Sequence, residues 1–346
     1  MKNRIARLAK VGKIKIFEEE MPPLKEGEIL VAVKAVGVCG SDIHYFLEGG
    51  LGSFKQPLPM DLGHESAGLV IDTFEKGDFK KGDRVAIEPA RACLKCKWCL
   101  KGKHNLCERG VFMVTNSQGA FADYLIAHES QLVKIPKNMS YAMGALLEPL
   151  GVGLHAVNLV GPVPTESATI IGSGPIGLSI LSVLKKFGFK EIYMVDKLPY
   201  RVKFAKKMGA TKSFLLKGAV KEIKKITKNE GTMYVFDAGG TQDTMDMSIT
   251  LVGTSGTIAL VGIPVDDLIG INLHKLRIKE VTLKNVRRSN QTLEDCIKLF
   301  SGDKNVEKII THKFKFEDIQ KGFDLVGKYK GDVIKCVIEN SSHSYS

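Results

Sequence analysis

The two halves of the chain are patterned differently. Up to about residue 150, apolar stretches are short and divided by Gly, Pro and Asp, as at residues 29–38, 67–71, 84–87 and 121–126. Runs bounded by turn residues predict β-strands. From about 167, apolar strands alternate with amphipathic helices. Candidate strands are residues 168–171, 192–195, 213–215, 234–236, 258–261 and 281–283, with helical patterns at 175–187 and 201–208. This alternation predicts an α/β unit, a parallel sheet wound on both faces by helices. After about 286 it stops. A helix at 293–300 and an apolar finish at 333–338 remain. That is too little for a third domain, so the tail is expected to pack back on the first.

The 346 residues suit two domains of ordinary size. With 44% hydrophobic and 25% charged residues, the composition is that of a soluble globular protein. No apolar run approaches the ~18 residues of a membrane span. The start, Met1-Lys-Asn-Arg-Ile5, has no signal-peptide core. The expectation is a cytoplasmic protein with no membrane partner. Lys and Arg number 50 against 38 Asp and Glu, a net charge of +12. Such an excess suits nucleic acid or an anionic ligand. The lysines, however, are spread over exposed-looking faces such as residues 221–228, with no aromatic-interleaved basic motif. The reading is a solvated basic surface and no nucleic-acid partner.

Residues 168–177 contain G-x-G-x-x-G at Gly172, Gly174 and Gly177, after an apolar strand and at the opening of a helix. About 20 residues on, the next strand ends in Asp196, completing a dinucleotide fingerprint. Gly172 permits the tight turn, Gly174 lets the backbone approach a pyrophosphate, and Gly177 allows close helix–sheet contact. Pro175 and Ile176 open the helix whose N-terminus favours phosphate. Asp196 can accept from both ribose hydroxyls and would repel a 2′-phosphate, so the cofactor reads as NAD rather than NADP. Arg201 is the residue that could support such a phosphate instead. Two later loops, at Ala238 and at Val261 and Gly262, end strands in small residues and are expected to flank the nicotinamide half.

Of seven cysteines, four fall between Cys93 and Cys107. Cys93, Cys96, Cys99 and Cys107 have the spacing of a metal site and can close a tetrahedral shell around Zn2+. A shell of four thiolates leaves no open position, so this zinc would be structural. A second set is dispersed: Cys39, His64, Glu65 and Glu148. A thiolate, an imidazole and carboxylates suit a catalytic zinc with an exchangeable position. Spacing alone does not assemble them, and each residue also has an ordinary structural reading.

The stretches Cys39-Gly-Ser-Asp-Ile-His-Tyr45, Gly63-His-Glu65 and Gly82-Asp-Arg-Val85, the four-cysteine loop, Glu148-Pro149 and the glycine loop stand in the order typical of zinc-dependent medium-chain dehydrogenases. The chain resembles that superfamily over essentially its whole length. It is most similar to the sorbitol (polyol) dehydrogenase branch, through Val85-Ala-Ile-Glu-Pro89 and the run from Leu147 to Ala156. The resemblance implies a GroES-like β-rich catalytic domain at 1–151 and 287–346, interrupted by a Rossmann NAD-binding domain at 152–286. It implies two zinc ions per chain, with Cys39, His64 and Glu65 binding the catalytic one. Glu148 is then a fourth ligand or the acceptor for a zinc-bound water. Ser41 resembles the family's relay hydroxyl and His44 its proton outlet, while Asp42 resembles the carboxylate that orients His64. Tyr45, Phe112 and Arg288 resemble substrate contacts. The implied reaction is oxidation of a secondary alcohol of a polyol, cyclitol or sugar derivative by hydride transfer to NAD, in a homo-oligomer, with a tetramer favoured.

One departure bears on substrate. Arg287 stands where the polyol branch usually has an aromatic residue, which favours a carboxylate or phosphate on the ligand. The same chemistry on a phosphorylated polyol or an amino alcohol such as threonine is the alternative. Non-enzymatic readings are a basic nucleic-acid module with a four-cysteine zinc loop and a binding or structural protein that keeps the fold without catalysis.

Overall fold

The computed structural model describes residues 1–340 apart from 76, 116, 117 and 265. The chain folds as two compact units, Met1–Glu148 with the segment from Leu293 onward, and Pro149–Thr292. The sequence pattern and the family resemblance place these boundaries at 151/152 and 286/287. The first boundary falls inside the helix Tyr141–Val160, at its internal Pro149.

The first unit is built on a seven-stranded sheet. Its path runs Leu132–Lys134, Arg84–Ile87, Glu65–Thr73, Glu28–Gly37, Lys335–Glu339 and Ile310–Lys315, with Tyr124–His128 also paired to Glu28–Gly37. Glu28–Gly37 is the hub, antiparallel to three partners. Its burial is nearly continuous, because both faces are covered. The tail returns here: Lys335–Glu339 pairs directly with it. The strand Ile310–Lys315 and the helix Ile319–Gly327 are not apparent in the sequence pattern. The core beneath joins Leu8, Val31, Val70, Phe121, Phe316 and Phe323.

The second unit is a six-stranded, all-parallel sheet. Its order is Lys212–Leu215, Ile192–Asp196, Ala168–Ile171, Thr232–Asp237, Val252–Leu260 and Thr282–Asn285. In chain order that is 3-2-1-4-5-6, the doubly wound dinucleotide-binding arrangement, with its reversal beside Ala168–Ile171. All four residues of that central strand are buried, as helices on both faces require. Val261 lies just past its strand rather than inside it.

Among the described residues one helix, Tyr141–Val160, is long and apolar enough to cross a membrane, but 72% of its apolar window is buried within the protein. Glu148, Pro149 and His155 interrupt its apolar character. Burial against the fold accounts for the rest.

Candidate active site and nucleotide loop

The helix Gly40–Glu48 begins directly after Cys39, which has extended backbone dihedrals (φ −85°, ψ 156°). Asp42, in its first turn, accepts a hydrogen bond from the Cys39 N–H at 3.0 Å and another from the Gly63 N–H at 3.1 Å. A buried carboxylate thus ties the start of the helix to the turn that delivers His64 and Glu65. Gly63 sits at φ 88°, and a Cβ there would lie 2.7 Å from the Phe121 ring, so only glycine makes this turn. The result is convergence: donor atoms of Cys39, His64 and Glu65 all lie within 4.8 Å of one another. Glu148 is outside that triple, though its charge is felt at Cys39.

Electrostatics around the triple are lopsided. Burial pushes the Cys39 thiol up, with Glu65 adding to the effect and Lys335 opposing it. Burial likewise pushes the Glu148 carboxyl up to about 8, against the opposing charge of His64. Glu65, Glu148 and a Cys39 thiolate would face one buried ammonium, that of Lys335. Uncompensated buried charge is costly, and a coordinated cation is the ordinary remedy. The donor set therefore fits a divalent metal.

Lys335 is the residue that sequence reasoning missed. Its Nζ lies 2.7 Å from both carboxylate oxygens of Glu65 and 3.0 Å from the Val38 carbonyl. The sequence did carry a signal: a lysine inside the apolar finish 333–338 needs a buried partner.

The remaining residues of the first unit fall in different places. Ser41 and His44 are half-buried, three residues apart and so on one side of their helix. His44 Nδ1 lies 3.6 Å from Glu48 Oε1. The Phe112 ring stands 5.7 Å from that of His64, between centroids. Tyr45 is buried within the apolar core cluster of its unit.

In the four-cysteine loop, sulfur–sulfur distances are 4.0 Å for Cys93–Cys99, 3.5 Å for Cys96–Cys99 and 3.9 Å for Cys96–Cys107. A tetrahedron with zinc–sulfur bonds of about 2.3 Å has edges of about 3.8 Å. The four thiols are already placed for such an ion. The Cys99 N–H is the main cause that brings the Cys96 thiol down to about 6. Backbone donors, first that of Lys95, lower Cys93 as well, while desolvation raises Cys99 to about 12.

In the second unit, Gly172 has φ 99°, and a Cβ on Gly177 would lie 1.8 Å from the Gly172 carbonyl oxygen. The helix Pro175–Lys186 starts from Gly174 with Pro175 in its first turn, which suits a proline lacking an N–H. Asp196 accepts from the Ser173 N–H at 2.7 Å and the Leu198 N–H at 2.9 Å. Arg201 Nη1 lies 4.0 Å from Asp196, and a Cβ on Gly174 would come within 3.4 Å of the same nitrogen. Ser173 Oγ is buried without a hydrogen-bond partner. Glycine backbone, an orphaned hydroxyl and a carboxylate thus surround one loop, as a bound dinucleotide would use them. Nearby, the Asp237 carboxylate accepts from Gly239 and Gly240, and its backbone carbonyl accepts from Val261 and Gly262. That pins the Ala238 and Gly262 loops together. Arg288 belongs to this unit and has φ 56°.

Comparisons with known proteins agree. Residues 25–137 match the alcohol dehydrogenase GroES-like domain, and residues 175–302 match the zinc-binding dehydrogenase family. An uncharacterised zinc-type alcohol dehydrogenase-like protein of Escherichia coli is 38% identical, covering 99% of this chain and 100% of its own. Sorbitol dehydrogenase of Bacillus subtilis is 33% identical, with 94% of each chain covered. The structure of L-idonate 5-dehydrogenase from Escherichia coli superposes with a TM-score of 0.91 at 26% identity, over 98% of each chain. The chain belongs to the zinc-dependent medium-chain dehydrogenases, in their sorbitol dehydrogenase-like branch.

Proposed function

We propose that this protein oxidises a secondary alcohol of a polyol, cyclitol or sugar derivative to the ketone, with zinc at Cys39, His64 and Glu65 and NAD at the Gly172–Gly177 loop. The observation that carries the reading is the convergence of those three donors within 4.8 Å. When bound, zinc supplies Lewis acidity to the substrate oxygen, and the nicotinamide supplies the hydride acceptor.

The chain's own residues do the rest. Asp42 keeps His64 oriented, the kind of support on which ligand geometry depends. Ser41 Oγ relays the hydroxyl proton, accepting it as its own passes on, and the His44 imidazole carries the proton outward. Phe112, whose ring stands 5.7 Å from that of His64, is a proposed substrate contact. Tyr45 and Arg288 are proposed substrate contacts, Tyr45 through a phenol set in the core. Glu148 acts from outside the donor triple as an acceptor for a bound water rather than as a ligand. In the other unit, Asp196 accepts from the adenosine ribose, and Arg201 braces that carboxylate. The four cysteines from Cys93 to Cys107 hold a structural zinc. A cytoplasmic homotetramer is the form the family resemblance supports.

A second reading, an anionic polyol such as a sugar acid, is favoured by Arg287 beside Arg288 and by the likeness to L-idonate 5-dehydrogenase. A panel of neutral polyols, sugar acids, sugar phosphates and threonine, followed by nicotinamide absorbance with NAD, tests both. Activity on polyols that Cys39→Ala abolishes while NAD still binds is the expected result. Activity on threonine alone overturns it.

A further inference from the structure

The strand Glu28–Gly37 lies between Glu65–Thr73 and Lys335–Glu339. Gly37 is in register with Glu65 on one side and Val337 on the other. Lys335, two residues before Val337, points to the same face. The Glu65 carboxylate and the Lys335 ammonium therefore meet across Gly37, both only 2% exposed. A Cβ on Gly37 would lie 2.0 Å from Glu65 Oε2. Its φ is not among the positive ones, so the glycine serves space, not backbone conformation.

We propose that Lys335, seated across Gly37, is the positioning residue that fixes the Glu65 carboxylate beside Cys39 and His64 and so sets how tightly those donors hold a divalent metal. The inference rests on the proposed metal role of Glu65. Hydrogen bonds tie the Lys335 ammonium to both Glu65 oxygens and to the Val38 carbonyl. Each carboxylate oxygen keeps a lone pair beyond the one that faces Lys335, and the Cys39 and His64 donors lie within 4.8 Å of it. Lys335 also acts electrostatically on Cys39 and Glu148, which makes it the local counter-charge of the whole cluster. A buried ion pair is a poor device for stability alone, since an apolar pair of similar volume does as well or better. Its use here is geometric. It stops a buried carboxylate from turning away from its neighbours.

The test is zinc release to a competing chelator from the whole protein, with the four-cysteine site as internal reference. Lys335→Met is expected to weaken zinc at the Cys39 site by roughly 10–100-fold, as loss of a partner to a metal ligand usually does. The ion among the four cysteines should stay put, and Lys335→Arg should restore most of the affinity. Gly37→Ala, which changes no charge, should reproduce the loss by displacing Glu65. In cobalt-substituted protein the visible spectrum of the Cys39 site should shift in both weakened variants. If both retain wild-type zinc affinity and spectrum, the inference is overturned. If Lys335→Met fails to fold, Gly37→Ala decides alone. Wild-type protein with no metal at the Cys39 site overturns the functional reading itself, a result distinct from two occupied sites that the variants leave unchanged.

Discussion

Oδ1 of Asp42 lies 3.7 Å from Nδ1 of His64, while the same carboxylate accepts from the N–H groups of Cys39 and Gly63. One side chain therefore sets the spacing between two proposed ligands that are far apart in sequence. Asp42→Ala leaves two backbone donors without their acceptor, at about 1–3 kcal/mol for each that stays buried. The variant should unfold at lower denaturant and lose zinc from the Cys39 site. Asp42→Asn keeps an acceptor oxygen and should fall between it and the parent. Urea unfolding and metal content check this. Unchanged metal content in Asp42→Ala would remove Asp42 from the account.

The site was only partly legible in the chain. The inner parallel strands stood out because burial on both faces makes them nearly all apolar, as at residues 192–195. The four-cysteine loop stood out because its ligands are close in sequence. Ile310–Lys315 escaped notice because its residues are half-buried or exposed and its pattern is mixed. Cys39, His64 and Glu65 could not be assembled by spacing, since the join depends on Asp42 and on the turn at Gly63. Lys335 lies 270 residues from Glu65, and only sheet order brings the two together. Glu148 shows the opposite limit: family likeness left its role open, and it stands outside the donor triple.

The four-cysteine loop should depend on its ion. Leu94, Lys95 and Leu100 around it are exposed, so little apolar burial orders the segment. Metal binding supplies that ordering energy in such loops. Cys96→Ser should take the zinc content from both sites to one, and speed proteolysis between Lys95 and Lys103. NAD binding should persist, because the loop and the glycine turn belong to different units of the fold. A variant that keeps both ions would mean that the loop folds on other terms.

Cofactor choice should turn on Asp196. A 2′-phosphate beside its carboxylate would meet like charge, worth several kcal/mol when desolvated. Asp196→Ser removes that repulsion and leaves Arg201, 4.0 Å away in the parent, to face the phosphate. The ratio of NADP to NAD affinity should rise by about 100-fold, or about 2.7 kcal/mol. Fluorescence titration with both reduced cofactors measures it. The loss of the Ser173 and Leu198 hydrogen bonds should also weaken NAD binding in absolute terms. An unchanged ratio would mean that selection lies elsewhere in the loop.

His155, on the helix Tyr141–Val160, has its pKa lowered from 6.5 by desolvation. The sign follows from proton counting. As pH falls through about 6.5, the unfolded chain takes up a proton that the folded chain resists. The unfolded state then binds more protons, so stability drops with falling pH and the loss is complete only below the depressed native value. Above 6.5 both states are neutral and the group has no effect. His155→Asn removes this dependence. Urea midpoints at pH 7.5 and 5.5 should therefore differ less in the variant than in the parent. The comparison belongs to the unit Pro149–Thr292, should the two units unfold in separate transitions. Equal pH dependence in both proteins would show that the imidazole is solvated in the native state after all.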